Sequence, residues 1–353
     1  MNMTDIAAHR LHNQYLIEGL GNPQDVVRKM GAMQAQDFMG AKWAIGLRSK
    51  NATDESVTGL FNDGKILRTH MLRPTWHFVA PEDIRWMQSL TAPRVHALNK
   101  YYYKKLGLDE GTLRKGIDVL KQVLKGGKQL TRAEAAAAFS DAGIDASGLR
   151  LAYLVMYAEL EAVVCSGALR GKQHTIALIS ERAPQAKILP KEQALKEFAL
   201  RFFTAHGPAT VQDLAWWSSL SAADVKSGVE LADLQRIEID AKTYYCAKQA
   251  DTTIRSPLVH LLPNYDEYLI AYKERSAAGQ AVLEKRPVPA DFFYHFVVLD
   301  GQLVGGWKRI VGKSMTVELN LFTHFGPKQA KALDAAGQQL QDFLQIPVKL
   351  TNL

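Results

Sequence analysis

Two glutamines separated by a single residue, Gln34 and Gln36, have the residue type and the spacing best suited to chemistry in this sequence. On extended backbone, side chains two residues apart point to the same side, whereas a helix would place them far apart. Each amide offers an acceptor oxygen and N–H donors, so two amides aimed at one point can orient a water molecule. The pair therefore predicts a water-positioning site on extended backbone, with an ordinary surface loop as the alternative for so short a motif.

Motifs for other chemistries fail on their spacing. Five residues separate Gly306 from Gly312-Lys313-Ser314, one more than a phosphate-binding Walker A loop has. His70 and His77 lie seven residues apart on expected strands, and therefore on opposite faces, which makes them a poor pair of metal ligands. We therefore expect no nucleotide hydrolysis, and single structural or DNA-facing histidines rather than a metal site.

Length and composition indicate a cytoplasmic protein of more than one domain. The chain of 353 residues exceeds one typical core, which favours two or three domains. No apolar stretch is long enough to cross a membrane, and the N-terminal residues do not have the pattern of a signal peptide. Cys165 and Cys246 stand far apart, which supports neither a disulfide framework nor a zinc site. We expect a reducing cytoplasm and no membrane contact.

Positive charge is concentrated in one segment. The chain has a net charge of +7. The segment from Arg94 to Arg132 contains ten Lys or Arg residues and only three acidic residues. This segment carries Tyr101-Tyr102-Tyr103 in its middle. Basic residues beside aromatic residues suit a phosphate backbone, although a solvated helical face with inward-packed tyrosines is the alternative. The charge favours a polyanionic partner such as DNA.

One order of elements, helices followed by two short strands, recurs three times along the chain. It begins with helices at Thr4–Gly19, Asn22–Met33 and Thr53–Gly64 and a strand pair within Ile66–Val79. This order is typical of a winged helix-turn-helix. We therefore predict a mainly α protein with small β wings (α+β). Its expected parts are three tandem winged-helix units, at 1–105, 106–186 and 187–255, and a small β-barrel-like region at 256–353.

The C-terminal region has a different pattern, with short apolar stretches between glycines. The expected strands are Phe292–Leu299, Leu303–Gly306, Lys308–Val311 and Thr316–Leu319. Asp300-Gly301 is a hairpin signal, because both residues tolerate positive φ. A last helix is expected from Pro327 to about Leu344.

Several separated blocks of the sequence together resemble one protein family. Gly31–Asp37 contains the family's Gln-x-Gln motif, and Arg68-Thr69-His70 with Arg73–Val79 is similar to its first wing. Further matching blocks are Pro81-Glu82-Asp83, His206–Thr210, Asp213–Ser218, Leu262–Leu269 and Gly305–Arg309. The family is that of the tandem winged-helix DNA glycosylases of the AlkZ type, and the resemblance covers nearly the whole chain.

The resemblance implies an enzyme that releases N7-alkylated purines from DNA, including bulky adducts and interstrand crosslinks, without metal or cofactor. It implies that Gln34 and Gln36 are the catalytic residues. The chemistry agrees, because an N7-alkylated guanine already carries positive charge and leaves with little acid catalysis. The remaining needs are an oriented water and stabilisation of an oxocarbenium-like sugar, and neutral amide oxygens can supply both.

Basic residues of the first wing, the basic segment and the C-terminal region are candidates for contact with DNA. They are Arg68, His70, Arg73, His77, Lys100, Lys104, Lys105, Lys308 and Arg309. Trp76 and Asp266 are candidates for lining the site, with core packing and helix capping as their alternatives. We expect a monomer that acts on double-stranded, alkylated DNA. The alternative is a winged-helix DNA-binding or regulatory protein without catalysis.

Overall fold

Helices and short strands alternate along the chain, which makes it a mixed α/β protein. A computed structural model describes residues 2–247, 254–279 and 295–352. In chain order the helices are α1 (Met3–Asn13), α2 (Pro23–Met30), α3 (Phe38–Leu47), α4 (Asp54–Asn62), α5 (Ile84–Lys105), α6 (Glu110–Leu124), α7 (Arg132–Asp141), α8 (Leu149–Leu160), α9 (Ile179–Arg182), α10 (Lys191–Ala205), α11 (Val211–Ser218), α12 (Ala222–Leu231), α13 (Glu267–Ile270) and α14 (Pro327–Leu344). The strands are β1 (Ala32–Gln34), β2 (Leu67–Met71), β3 (Thr75–Val79), β4 (Leu130–Thr131), β5 (Val164–Ser166), β6 (Thr175–Leu178), β7 (Gln235–Ile239), β8 (Lys242–Cys246), β9 (Val259–Leu262), β10 (Phe296–Leu299), β11 (Gln302–Val311), β12 (Met315–Leu321) and β13 (Val348–Asn352).

The segment with the two glutamines begins where one helix ends and stops where the next begins. α2 ends at Met30 rather than at Met33, because Gly31 adopts a φ of 82°, which closes the helix. β1 follows directly, and Asp37 then caps α3 through a carboxylate oxygen 3.2 Å from the Gly40 amide nitrogen. The sequence pattern does not predict α3, because this helix is apolar on nearly all sides and shows no helical period.

The first of two units comprises Met1–Thr58, Ala199–Trp217 and Ala232–Leu353. Its main sheet has five strands in the order β13-β12-β11-β10-β9, and α14 packs against β9, β13 and α3. Asp300 and Gly301 both have positive φ and form the predicted two-residue hairpin between β10 and β11. The sheet therefore brings the C-terminal residues of the chain into one layer with residues near position 260.

Two of the C-terminal strands, β11 and β13, differ from the prediction. β11 is one continuous strand where two were expected, and β13, which pairs parallel with β12, was not expected. Of the predicted strand Phe292–Leu299, residues 292–294 lie outside the described residues, and Phe296–Leu299 form β10. The predicted last helix is confirmed as α14.

The second unit comprises Gly59–Phe198 and Ser218–Leu231. β2 and β3 pair antiparallel, which confirms the predicted strand pair within Ile66–Val79. β4, β6 and β5 form a three-stranded sheet, and α6, α7, α8 and this sheet share one apolar core. Thr131 and Glu134 make the predicted capping box at the start of α7. A local sequence signal thus sets the start of α7.

The third predicted series of elements is present as α10, α11, α12 and the antiparallel pair β7–β8. The two units are built from non-contiguous segments, whereas the four expected domains are continuous ranges, 1–105, 106–186, 187–255 and 256–353. These four domains stay a prediction. Among the described residues, no helix combines the length and the apolar character needed to span a lipid bilayer.

Candidate active site

The backbone is extended at Gln34 and bends at Gln36. Gln34 is the last residue of β1, and Gln36 lies in the bend before α3. Burial alternates along this segment: Met33 and Ala35 are buried, whereas Gln34 is partly exposed and Gln36 is exposed. The alternation is that of side chains on opposite sides of extended backbone, so it fits the expected shared face for both amides.

A buried carboxylate holds the backbone at the first glutamine. Oε1 of Glu267 accepts a hydrogen bond from the Gln34 backbone N–H at 2.8 Å. Oε2 of the same carboxylate accepts one from the indole N–H of Trp217 at 2.9 Å. Glu267 is only 1% exposed. Both of its oxygens therefore act inside the unit rather than towards solvent.

A histidine lies beside this carboxylate. His206 Nε2 is 3.7 Å from Oε2 of Glu267 and makes no hydrogen bond within the described part of the chain. The other ring nitrogen donates to the Phe202 carbonyl at 3.3 Å, because a carbonyl can only accept. The ring also stacks on Phe202, with centroids 4.9 Å apart and an interplanar angle of 13°. Packing and this hydrogen bond together fix the orientation of the imidazole.

Helix α13, which carries Glu267, is anchored by a buried ion pair. Asp266 caps α13 through the Tyr268 N–H at 2.9 Å, and its two oxygens accept from Arg48 at 2.7 and 2.8 Å. Both side chains of this pair are fully buried. Asp266 was a candidate for lining the site, but its burial and its contacts support the alternative of a capping residue.

Directly after the glutamines, Asp37 forms an ion pair with Arg309. Nη2 of Arg309 lies 2.8 and 3.0 Å from the two carboxylate oxygens, and both side chains are about one fifth exposed. The neighbouring Lys308 pairs with Glu318 at 3.0 Å. Lys308 and Arg309 were candidates for contact with DNA; both side chains reach solvent, and in this structure both already contact a carboxylate.

His295 lies close to this ion pair and is held neutral. Its ring stacks on Trp307 with centroids 4.4 Å apart, and its Nδ1 accepts from the Asn264 backbone N–H at 2.8 Å. Burial, with a smaller contribution from Arg309 and against the opposing effect of Asp37, lowers the pKa of His295 to about 4. Since Nδ1 accepts, the single proton of the neutral ring is on Nε2.

Sequence reasoning did not single out Glu267 or His295. Glu267 lies inside the block Leu262–Leu269 that carries part of the family resemblance, but its partner Gln34 is 233 residues away. No periodicity or local motif in the sequence predicts a contact between residues so far apart. For His295 the sequence gives no signal beyond the residue type.

The predicted wing residues form a mostly buried cluster in the second unit. The Arg68 guanidinium lies 4.3 Å from the centre of the Trp76 ring, and burial lowers the pKa of Arg68 to about 10. Nδ1 of His70 contacts Glu159, and its ring lies 4.5 Å from Trp76. Trp76 is partly exposed and packs on Arg68 and His70, so its place in lining the site stays a prediction.

His77 is fully buried, and burial holds its pKa well below the usual range, with Arg73 adding to the effect. Its Nδ1 donates to the Thr75 carbonyl at 3.0 Å, and the low pKa that burial imposes keeps the imidazole neutral. Burial thus argues against direct DNA contact by His70 and His77, whereas Arg73 at the hairpin turn is partly exposed. Among the described residues, no three His, Cys, Asp or Glu side chains are grouped to bind a metal.

Lys100, Lys104 and Lys105, here called the α5 lysines, lie exposed at the C-terminal end of α5. Tyr101 beside them is 66% exposed, and Lys105 Nζ lies 5.8 Å from its ring centre. This arrangement is open to a phosphate backbone but equally typical of a solvated helix face. Their contact with DNA stays a prediction.

Comparison with known proteins identifies the family. The family model of the AlkZ-like DNA glycosylases matches residues 27–343. The chain belongs to this family. It is similar to an interstrand DNA cross-link repair glycosylase of Streptomyces sahachiroi, with 24% identity over 343 residues that cover 88% of this chain and 89% of that protein. It also matches the solved structure of Streptomyces sahachiroi DNA glycosylase AlkZ over 100% of both chains, with a TM-score of 0.83 and 21% identity.

Membership of the AlkZ-like DNA glycosylases confirms the resemblance predicted from the sequence blocks. It also confirms the prediction of an enzyme of the class that hydrolyses N-glycosyl bonds, and it favours this class over a regulator without catalysis. The structural match shows the shared fold. The roles of individual residues, Gln34 and Gln36 included, stay predictions.

Proposed function

We propose that this chain hydrolyses the N-glycosidic bond of N7-alkylated purines in double-stranded DNA, with a water molecule held by Gln34 and Gln36. The observation that carries the proposal is the arrangement of this motif. Two outward amides alternate with buried residues, and a buried carboxylate holds the backbone N–H of Gln34. Preorganised amides of this kind can orient a nucleophile without reorganising during the reaction.

The charge of the leaving group explains why neutral amides are sufficient. In an N7-alkylated guanine the purine is already cationic, so cleavage of the C1′–N9 bond sends the electron pair to the ring and releases a neutral base. The sugar becomes oxocarbenium-like, and the oriented water adds to C1′ and gives its proton to solvent. The amide oxygens stabilise the cationic sugar and the water that loses a proton. A strong general base is required only for a base that leaves less readily.

The fold supplies the setting for this chemistry. The repeated order of helices and strand pairs supports three tandem winged-helix units, and the five-stranded sheet with α14 supports a small barrel-like C-terminal region. The exposed α5 lysines and Arg73 provide positive charge for the DNA backbone. We expect the protein to act as a monomer in the cytoplasm and to need neither a metal nor a cofactor. The interstrand crosslink named for the Streptomyces sahachiroi relative is the bulky substrate to compare with a simple methyl lesion.

Base release is the direct test. Purified protein is incubated with duplex DNA carrying one N7-methylguanine, and the released base and the abasic site are both quantified. We expect stoichiometric amounts of the two, with no release of unmodified guanine. Tight DNA binding without release of any N7-alkylated purine, crosslinked duplex included, would refute the proposal.

A further inference from the structure

The Glu267 carboxylate joins two elements that are far apart in the sequence. One oxygen accepts from the Gln34 backbone at the end of β1, and the other accepts from Trp217 on α11. The position of the carboxylate is fixed in turn, because Asp266 caps α13 and is held by Arg48. Arg48 therefore acts on the Gln34 backbone indirectly, through its ion pair with Asp266, helix α13 and the Glu267 carboxylate.

Its burial separates Glu267 from the chemistry itself. The residue is 1% exposed, and each carboxylate oxygen already accepts an N–H at normal hydrogen-bond distance. A group in this position is poorly placed to take a proton from an attacking water, because a general base must reach that proton directly or through one water. The carboxylate can act on the reaction only through the residue it holds.

The contact with Gln34 has a specific geometric consequence. Gln34 is the last residue of β1, and the chain bends two residues later. A hydrogen bond at the backbone N–H restrains this terminal residue and thereby the direction in which its side chain leaves the strand. Without the bond, the amide would sample a wider range of positions, although none of its own atoms had changed.

We infer that Glu267 is a positioning residue, which sets the orientation of the Gln34 side chain through the Gln34 backbone. The inference rests on the proposed function, because it concerns how the water-orienting amide is held. It adds a residue from the C-terminal part of the chain to a site otherwise contained in Gln34 and Gln36. Asp266, the preceding residue, caps α13 and thereby fixes the position of the Glu267 carboxylate.

The test compares Glu267→Gln with a stability control from the same unit. The glutamine has the shape of glutamate, but its oxygen can accept from only one of the two N–H donors, and its NH₂ must face the other. The control is Tyr272→Phe, which removes buried hydrogen bonds to the His206 carbonyl and Gln14 but leaves the carboxylate contacts in place. Single-turnover release of N7-methylguanine, the Kd for undamaged duplex and the melting temperature are measured for both variants.

Glu267→Gln should slow single-turnover release by roughly ten- to a hundredfold, the range expected when a catalytic group is displaced by a fraction of an ångström to about one ångström. Its Kd for undamaged duplex should stay that of the parent, and hydrogen exchange at the Gln34 amide should become faster. Tyr272→Phe should lower the melting temperature while leaving both the release rate and the Gln34 exchange unchanged. The combination distinguishes positioning from general loss of stability.

The opposite outcomes are equally clear. A Glu267→Gln variant in which the Gln34 amide exchanges faster but base is released at the parent rate overturns the inference and leaves the proposed function intact, and so does a parent rate in Glu267→Ala, which removes both acceptors. A parent protein that releases no base overturns the proposed function, and the inference with it. If Glu267→Gln does not fold, Glu267→Asp takes its place: the charge is kept but the shorter side chain cannot reach both donors, so faster exchange at the Gln34 amide with an unchanged release rate again overturns the inference.

Discussion

Replacing either motif glutamine with alanine should slow base release and leave the fold intact. Gln36 is exposed and Gln34 is partly exposed, so each truncation should change the free energy of unfolding by less than about 0.5 kcal/mol. The bond from Gln34 to Glu267 uses the backbone N–H and therefore survives in Gln34→Ala. Removing one oriented polar contact from a transition state costs about 3 kcal/mol, which is roughly a hundredfold in rate.

The assay is single-turnover release of N7-methylguanine from duplex DNA with enzyme in excess. The double variant should lose less than the sum of the two single losses, because residues that hold one water act as a unit. Gln36→Asp should keep part of the activity, since a carboxylate can hold the same water. Gln235→Ala is the matched control, because Gln235 is an exposed glutamine on a strand of the same unit and should release base at the parent rate.

Two results would refute this reasoning in different ways. If both alanine variants release base at the parent rate, the motif is structural and the active site lies elsewhere. If both variants lose their affinity for undamaged duplex by the same factor as their rate, the glutamines contribute to binding rather than to the chemical step.

Three further predictions follow from the charges. Changing the α5 lysines to alanine should reduce the slope of log Kd against log salt by about one unit for each lost phosphate contact, and an unchanged slope would mark a solvated face. Asp266→Asn should lower the free energy of unfolding by about 3–5 kcal/mol in urea titrations, because Arg48 would keep an uncompensated buried charge; a loss below about 1 kcal/mol would contradict this. The pKa of His295 is lowered from 6.5 to about 4 in the folded protein, so the unfolded chain takes up the proton first as pH falls. The free energy of unfolding should therefore fall between about pH 6.5 and 4, by up to about 3 kcal/mol, and urea titrations of His295→Phe should show a correspondingly weaker pH dependence.

Features specified by neighbouring residues could be predicted from the sequence. Asp300-Gly301 predicts its hairpin, because both positions need positive φ, and Thr131 with Glu134 predicts the start of α7. The i, i+2 spacing of Gln34 and Gln36 predicts extended backbone at Gln34, and the burial of Met33 and Ala35 on either side of Gln34 fits it.

Features that depend on distant residues could not be predicted. The Glu267 contact spans 233 positions, and the parallel pairing of β13 with β12 follows a long connection through α14. α3 was missed for a different reason, since a helix buried on nearly all sides has no amphipathic period to detect. The burial of His70 and His77 likewise depends on tertiary packing, and it cannot be predicted from the two-residue period of a strand.

The short segment between Gly31 and Asp37 has a consequence for sequence change in this protein. Both of its ends are fixed, one by Gly31, whose positive φ closes α2, and the other by the carboxylate that caps α3 and pairs with Arg309. Because side chains on extended backbone alternate sides, inserting or deleting one residue here would turn a glutamine into the core and an apolar residue towards solvent. The number of residues between these two anchors is therefore itself a constraint, and single-residue length changes should be far less tolerated here than conservative substitutions of the apolar residues.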